Sequence, residues 1–251
     1  MKEEIVSEKK VRIKAISSFI IFFLLLGAGA FAWVWIRKQP PQQGTLSGIP
    51  APLRKGLSVN EKIFSNTFTN HLAKTYSKSE ASNRVRVNGN VGMKGDFDAT
   101  TWKLQLVKNN GDTLFFSLDD IKQLPKTEIV YDFKCIEGWS QKTWWGGVKF
   151  SDFIKHYHLE KEAAFNYVAL NTPDKQYYVG IDMPSAIHPQ TLLCYEMNGK
   201  PLPMNQGYPL RLIIPVKYGI KSIKRIGTIY FTNERPPDYW AERGYDYYSG
   251  H

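Results

Sequence analysis

Cysteine is almost absent from this sequence, which has only Cys135 and Cys194 in 251 residues. Two cysteines are too few for a disulfide framework, and a structural zinc site would need a second pair of ligands. A single disulfide between them stays open. Cys194 lies in the apolar stretch Leu192–Tyr195, where a small buried residue is expected. Cys135 is therefore considered separately below.

The sequence also lacks arginine-rich runs, zinc-ligand spacings and RNA-binding aromatic motifs. Nucleic acid is therefore not the expected partner, although the formal net charge is +10. Seven basic and three acidic side chains lie in the first 38 residues, which leaves about +6 on the remainder. This surplus favours an anionic partner, such as a phosphate-bearing cofactor or an oxyanion substrate.

Long apolar runs are absent except for one, which extends from Ile16 to Ile36 over 21 residues without a charge. At a rise of 1.5 Å per residue, a helix of this length crosses about 30 Å of hydrocarbon. Five basic residues precede the run and two follow it directly, so the positive-inside rule predicts a cytoplasmic N-terminus and an extracytoplasmic domain. The alternative is a signal peptide cleaved near Ala28, Ala30 or Ala32.

One domain is expected beyond this run. The predicted division is a cytoplasmic basic tail at 1–15, a transmembrane helix at 16–36, a linker with a short helix at 37–80, and an oxidoreductase domain at 81–251. Residues 39–60 are rich in Pro, Gly and Gln and are interpreted as linker. Apolar residues then recur at helical spacing, which predicts a short helix from about Asn60 to Lys74.

The domain is predicted to be α+β and rich in short strands. A hairpin is expected in Trp102–Leu118 around the Asn109–Asp112 turn, followed by a short helix capped by Ser117. Further strands are predicted in EIVYDFKC, NYVALNT, QYYVGI, LLCYEMNG, RLIIPV and RIGTIYFT, and a helix in VKFSDFIKHY. Because these elements show no regular βαβ alternation, a doubly wound parallel sheet is not expected.

Cys135 stands at the end of a predicted strand, just before the turn that contains Gly138. Side chains at strand ends are commonly exposed to pockets. A thiolate is a soft anionic ligand, and the neighbouring cation of Lys134 would help to keep it deprotonated. No His or Asp nearby completes a nucleophile pair, so a hydrolase is poorly supported. A buried core cysteine remains the alternative from these residues alone.

Several motifs follow one another between Trp102 and Trp240: SLDDIKQLP, FKCIEGWS, WWGGVKFSDFI, HPQTLLCYEMNGKPLP, GYPLRLIIPVKYGIKSIK and ERPPDYW. In sequence and order they resemble the oxidoreductase molybdopterin-binding domain of the sulfite oxidase family. Within it they most resemble bacterial single-domain proteins typified by the catalytic subunit of periplasmic methionine sulfoxide reductase. The resemblance implies a β-rich α+β domain that binds molybdopterin and molybdenum.

The resemblance also implies which residues contact the cofactor. Cys135 would be the thiolate ligand of molybdenum, and Arg211 would grip the pterin phosphate through two parallel hydrogen bonds. Other implied cofactor contacts are Thr172, Gln206, Ser222, Ile223 and Lys224. Lys221 is expected either to join the phosphate contacts or to lie on a solvated face. Asn88 and Asn90 match the family's N-terminal cofactor loop only loosely.

The implied function is a membrane-anchored, extracytoplasmic molybdenum-dependent oxidoreductase. It would transfer electrons or an oxygen atom to or from a small S- or N-oxide or oxyanion. A separate electron carrier, such as a haem or quinone-linked membrane protein, is the expected partner. The alternative is a degenerate module that keeps the fold without catalysis. It is motivated by Val216 and Arg225, which depart from the family pattern, and by Lys9-Lys10-Val11-Arg12 in place of a twin-arginine signal.

Overall fold

A computed structural model describes residues 7–42, 46, 48–67, 71–87 and 89–251. The chain divides into two compact units, Met1–Gly56 and Leu57–His251. The helices are α1 (Glu8–Arg37), α2 (Ala51–Thr67), α3 (Leu118–Lys122), α4 (Phe150–His156) and α5 (Met183–Ala186).

α1 contains the apolar run found in the sequence and extends it towards the N-terminus. It is 30 residues long, begins after the N-cap Ser7 and ends at Arg37. None of its residues is buried in the structure. Among the described residues it is the one helix long and apolar enough to cross a membrane.

α2 begins earlier than the sequence predicted. Residues 51–60, interpreted as linker, are helical, so the predicted start at Asn60 was wrong. Pro52 is compatible with this start because it lies in the first turn, where backbone N–H groups have no intrahelical acceptor and the lack of one costs nothing. The helix ends at Thr67; residues 68–70 of the predicted helix lie outside the described part of the chain, and Lys74 is not helical.

The domain contains two five-stranded sheets, which confirms the α+β class. The strands are β1 (Leu104–Val107), β2 (Thr113–Phe116), β3 (Thr127–Lys134), β4 (Ser140–Lys149), β5 (Tyr167–Asn171), β6 (Tyr178–Asp182), β7 (Leu192–Met197), β8 (Lys200–Pro201), β9 (Arg211–Ile213) and β10 (Thr228–Thr232). The first sheet has the order β2-β1-β10-β5-β6; the second has the order β3-β4-β7-β8, with β9 also paired to β7.

Local sequence signals gave the β1–β2 hairpin and α3 correctly. The two strands pair antiparallel across the predicted turn. Ser117 caps α3 in a capping box with Asp120, whose carboxylate accepts from Ser117 N at 2.7 Å. β4, the longest strand, was missed because Gly146 and Gly147 interrupt its pattern. A Cβ at Gly147 would lie 2.2 Å from Leu193 O, so the close approach of β7 requires glycine there.

The central strand of the second sheet, β7, is buried on both faces, which brings polar residues of its neighbours into the interior. In β7, Leu193 and Tyr195 belong to the larger hydrophobic core, whereas Leu192 and Cys194 belong to a smaller one. Arg211, the first residue of β9, pairs with Cys194. Its side chain is only 2% exposed. The fold thus places a guanidinium within the sheet, close to the end of β3.

Candidate functional site

A cavity of about 110 Å³ lies where β3 ends and β9 begins. The residues that line it come from six segments: Gly89, Val91, Cys135, Ile136, Glu137, Tyr177, Arg211, Gly219, Ile220, Ser222, Lys224, Trp240 and Tyr245. Four of the seven predicted cofactor contacts, Cys135, Arg211, Ser222 and Lys224, therefore meet around one space. They are separated by up to 89 positions in the sequence.

Cys135 is the first residue after β3 and is 4% exposed. Its backbone N–H donates to Trp139 O at 2.8 Å, and Gly138 N donates to Cys135 O at 3.1 Å. Gly138 has a φ of 88°, which the turn requires and which glycine adopts readily. The turn therefore holds the thiol at the cavity wall.

Arg211 is held by backbone and amide oxygens. Its Nη1 donates to Gln206 O and Gln206 Oε1, both at 3.0 Å, and its Nη2 donates to Ser222 O at 3.2 Å. The guanidinium stacks on the Trp145 ring at 4.6 Å. Arg211 Nε is buried and has no hydrogen-bond partner among the described residues. One buried donor of a fixed guanidinium is therefore left for a further acceptor.

In the described part of the chain, no carboxylate balances the charge of Arg211. No acidic side chain of the described residues lies within 4 Å of its guanidinium. Burial raises the pKa of the neighbouring Cys194 thiol to about 12 and also raises the pKa of the Tyr131 hydroxyl. Both groups are therefore neutral near pH 7. Burial lowers the pKa of Arg211 to about 10, so the guanidinium itself stays charged.

Ser222 and Lys224 add a hydroxyl and an amine to the same cavity. Ser222 is 4% exposed, and its Oγ makes no well-formed hydrogen bond to the described residues, although the Tyr131 hydroxyl is nearby. Lys224 Nζ donates to Gly89 O at 3.1 Å. Burial, followed by repulsion from Arg211, lowers the pKa of Lys224 to about 7. An anion in the cavity would oppose that shift and favour the ammonium form.

The other three predicted contacts do not line the cavity. Gln206 is 2% exposed; its Oε1 accepts from Arg211, so it orients the guanidinium. Thr172 is also buried, and its hydroxyl donates to Asp174 Oδ1 at 2.6 Å. The Ile223 side chain lies in the larger hydrophobic core. These side chains support the site from behind.

Both expectations for Lys221 were wrong. It is neither solvated nor directed at the predicted phosphate contacts, because its side chain is 1% exposed and Nζ lies 2.6 Å from Asp238 Oδ2. The same Nζ donates to Gly180 O at 2.9 Å. Asn88 lies outside the described residues, and Asn90 lines a separate cavity. Cys194 is fully buried, as expected for a core cysteine.

Three aromatic residues of the cavity wall were not identified from the sequence: Tyr177, Trp240 and Tyr245. Tyr177 donates to Ile220 O at 2.6 Å, which fixes the turn before Ser222. Trp240 and Tyr245 meet edge to face at 5.0 Å. The signal in the sequence is the density of aromatic residues after position 238, most of which follow the last family motif, ERPPDYW.

The cavity offers the donors that a molybdopterin cofactor requires. The cysteine thiol is a soft ligand suited to molybdenum. The Nε of Arg211, which has no hydrogen-bond partner among the described residues, and the hydroxyl of Ser222 suit phosphate oxygens, which accept charge-assisted hydrogen bonds. Since a buried guanidinium without a counter-charge is costly, an anionic ligand would also stabilise the site. The residues present therefore fit a phosphate-bearing cofactor with a soft metal.

Residues 90–240 match the family model described as the oxidoreductase molybdopterin binding domain. A candidate protein-methionine-sulfoxide reductase subunit, YedZ1 of Azospira oryzae, is 33% identical over 183 residues, which cover 72% of this chain and 69% of that protein. The protein-methionine-sulfoxide reductase catalytic subunit MsrP of Campylobacter jejuni is 29% identical over 244 residues, 90% of this chain and 78% of MsrP. YuiH of Bacillus subtilis, an uncharacterised oxidoreductase, is 32% identical over 179 residues, 67% of this chain and 89% of YuiH.

Proposed function

Since this chain belongs to the oxidoreductase molybdopterin-binding domain family, we propose that it is a molybdenum enzyme whose metal is bound by Cys135. The observation that carries the proposal is the meeting of the Cys135 thiol with Arg211, Ser222 and Lys224 around one cavity. The enzyme would transfer electrons or an oxygen atom to or from a small S- or N-oxide or oxyanion. The catalytic domain would comprise residues 81–251.

Each group of the cavity has a distinct part in this proposal. Cys135 Sγ would be the protein's ligand to molybdenum, in a position fixed by the turn that follows β3. Arg211, Ser222 and Lys224 would hold the pterin phosphate. Gln206 would keep the guanidinium oriented, since it already accepts a hydrogen bond from Nη1. Thr172 and Ile223 would support these contacts.

When bound, the molybdenum cofactor would supply two-electron redox chemistry and the exchange of an oxygen atom with the substrate. The protein's contribution is to orient both partners and to limit access of water. The names of YedZ1 and MsrP make methionine sulfoxide the first substrate to test. The aromatic edges of Trp240 and Tyr245 offer favourable contacts to sulfur at the cavity wall.

We further propose that α1 anchors the protein and that the domain is extracytoplasmic. The supporting observations are the length and apolar character of Glu8–Arg37 and the excess of basic residues before Ile16. A domain outside the cytoplasm would need a separate electron donor at the membrane. A haem or quinone-linked membrane protein is the kind of partner that fits.

Replacing Cys135 tests the central assignment. In Cys135→Ser, turnover of methionine sulfoxide with a reduced viologen dye as donor should be abolished, because a hydroxyl is a harder and far less acidic metal ligand than a thiol. Bound molybdenum and pterin should be measured beside activity, in protein expressed with cofactor synthesis intact. Full activity in the variant would contradict the assignment.

The matched control is Cys194→Ser, since Cys194 is the other cysteine and is equally buried. That variant should keep molybdenum and activity and lose at most about 1–2 kcal/mol of unfolding free energy, because the smaller hydroxyl packs less well than the sulfur but can still donate to Gly146 O or Glu196 O. Loss of the metal in Cys194→Ser alone would show that Cys194, and not Cys135, is the ligand.

A reporter fused after His251 tests the topology. It should register outside the cytoplasm, because the basic residues before Ile16 should retain the N-terminus inside. A cytoplasmic readout would refute the proposed localisation but not the cofactor assignment, since a cytosolic domain can also acquire cofactor.

A further inference from the structure

The wall of the Cys135 cavity changes in charge from its buried part to its exposed part. The buried part contains Arg211, Ser222 and Lys224, whose exposures are 9% or less. Glu137 lines the same cavity but is exposed to solvent. The described residues therefore give the cavity a cationic interior and a mouth that carries a carboxylate.

The turn after β3 holds Glu137 in place. Its Oε2 accepts a hydrogen bond from Trp139 Nε1 at 3.0 Å. The backbone of Cys135 donates to Trp139 O at 2.8 Å, so one turn carries both the thiol and the carboxylate. Because Glu137 follows Cys135 by two positions and lines the same cavity, a substrate on its way to the metal passes close to this carboxylate.

Within the described residues, no cation forms an ion pair with Glu137. The Arg86 guanidinium lies over the Trp139 ring at 4.7 Å, but it is not within 4 Å of the Glu137 carboxylate. Two aromatic side chains, Trp240 and Tyr245, line the same cavity. Low-dielectric walls of this kind strengthen the field of a nearby charge, so water screens Glu137 only in part.

We propose that Glu137 selects the substrate by charge, a role that rests on the proposed function at Cys135. The mouth admits a neutral or cationic S- or N-oxide and rejects an oxyanion. The pterin phosphate would balance the charges of Arg211 and Lys224, which leaves Glu137 as the protein charge that faces an incoming substrate. A like charge on the substrate then costs affinity, and its loss restores it.

The size of the effect follows from Coulomb's law. For two like charges about 7 Å apart, an effective dielectric constant between that of a protein surface and that of water gives roughly a fivefold loss of affinity. The same factor should appear between two ligands that differ only in one negative charge.

Equilibrium titration of the full-length, molybdenum-loaded protein in detergent tests this role. The probes are N-acetylmethionine sulfone, which is a monoanion, and its uncharged methyl ester. Sulfones keep the S–O groups of the substrate class and are measured without turnover. The ester should bind at least about fivefold more tightly than the acid, which corresponds to about 1 kcal/mol. In Glu137→Gln this preference should disappear, because the amide is uncharged but can still accept a hydrogen bond from Trp139 Nε1.

Steady-state kinetics with the corresponding sulfoxides, N-acetylmethionine sulfoxide and its methyl ester, give a second readout. The ratio of kcat/KM for ester over acid should fall by the same factor in Glu137→Gln. The matched control is Glu160→Gln, since Glu160 is also exposed but does not line the cavity. Its preference for the ester should equal that of the unaltered protein.

Equal affinity of the unaltered protein for acid and ester, or an unchanged preference in Glu137→Gln, would overturn charge selection. Turnover of both sulfoxides would in that case leave the proposed function intact. Unaltered protein that holds no molybdenum would instead refute the proposed function, and the role of Glu137 with it. If Glu137→Gln loses the cofactor, both sulfones are titrated into the unaltered protein at about 0.01 M and about 1 M salt. A preference that shrinks at high salt supports the proposal, and one that does not contradicts it.

Discussion

The buried cations of the domain differ in how their charge is balanced. Lys217 lies 2.7 Å from Asp182 Oδ1, and Lys221 lies 2.6 Å from Asp238 Oδ2. At the Cys135 cavity, Arg211 has no carboxylate within 4 Å among the described residues. All three are nearly inaccessible to solvent, with exposures of 2% or less.

This difference separates Lys217 and Lys221, whose charge the fold itself balances, from Arg211, which we propose to bind an anion. Burying an unpaired charge is costly, and a carboxylate within the fold offsets that cost permanently. Where the fold provides no carboxylate, an anion from outside can do so, and its binding is strengthened accordingly. The formal charge of the sequence cannot distinguish these two situations, because it counts all three residues alike.

The largest expected effect comes from breaking a structural pair. Asp238→Asn leaves the Lys221 ammonium buried without its counter-charge, so the unfolding free energy should fall by about 3–5 kcal/mol. Urea unfolding of protein with and without cofactor should show the same loss in both forms. A loss of stability confined to the cofactor-loaded protein would instead indicate that Lys221 takes part in cofactor binding.

The control for this change is Lys78→Met, which removes a more exposed pair with Glu128. Solvent already screens that pair, so less than about 1 kcal/mol should be lost. Adding Lys221→Met to Asp238→Asn should recover part of the stability, since no buried ammonium then remains unpaired.

A smaller effect is expected at Arg211, and it should appear in cofactor binding. Arg211→Lys replaces a planar fork by a point charge, which should lower cofactor occupancy by an amount consistent with the loss of one charge-assisted bond of about 1.5–3 kcal/mol. Bound pterin and molybdenum should be measured together with steady-state kinetics. The fraction that retains molybdenum should keep a near-normal KM.

Arg243→Lys provides the comparison for Arg211→Lys, because Arg243 does not line the Cys135 cavity. Its occupancy should match that of the unaltered protein. Full occupancy with a greatly raised KM in Arg211→Lys would instead place Arg211 on the substrate side of the cavity.

The smallest effect concerns the pH dependence at Lys224. Because its pKa is about 7 in the folded protein and ordinarily 10.5, the unfolded chain binds more protons between these pH values. Without cofactor, the unfolding free energy should therefore rise with pH above 7, by at most about 1.4 kcal/mol per unit from this group. Lys224→Met should reduce the slope of unfolding free energy against pH.

Cofactor binding should also reduce this slope, because the negative charge of the phosphate would raise the pKa of Lys224. An unchanged slope in Lys224→Met would contradict the assignment.

The parts of the fold that the sequence predicted are those with short-range causes. The turn at Asn109–Asp112 and the N-cap at Ser117 need only neighbouring residues, and both predictions are confirmed. In β4, Gly147 packs directly against the backbone of Leu193, which is distant in the sequence. The local sequence of β4 therefore lacks the alternating apolar pattern that predicts a strand. The start of α2 was predicted too late because proline is common both in linkers and in the first turn of a helix, so Pro52 is compatible with either.

The site shows the same division. The motifs predicted that Cys135 and Arg211 belong together, and both line one cavity. Lys221 and Lys224 are three positions apart with the same charge, yet only Lys224 reaches the cavity. The position of Asp238 decides this, and it depends on how the segment after β10 packs. The aromatic wall from that same segment was missed for the same reason.

The placement of β10 has a consequence for how the domain is completed. β10 occupies the centre of the first sheet, where it pairs parallel with β1 and antiparallel with β5. Gln105 and Thr228, which face each other there, are separated by most of the domain's length. Such long-range pairing is associated with slow folding. Until the last strand is available, the β1–β2 and β5–β6 hairpins each keep an unpaired inner edge, so a chain interrupted before Thr228 would be prone to aggregate.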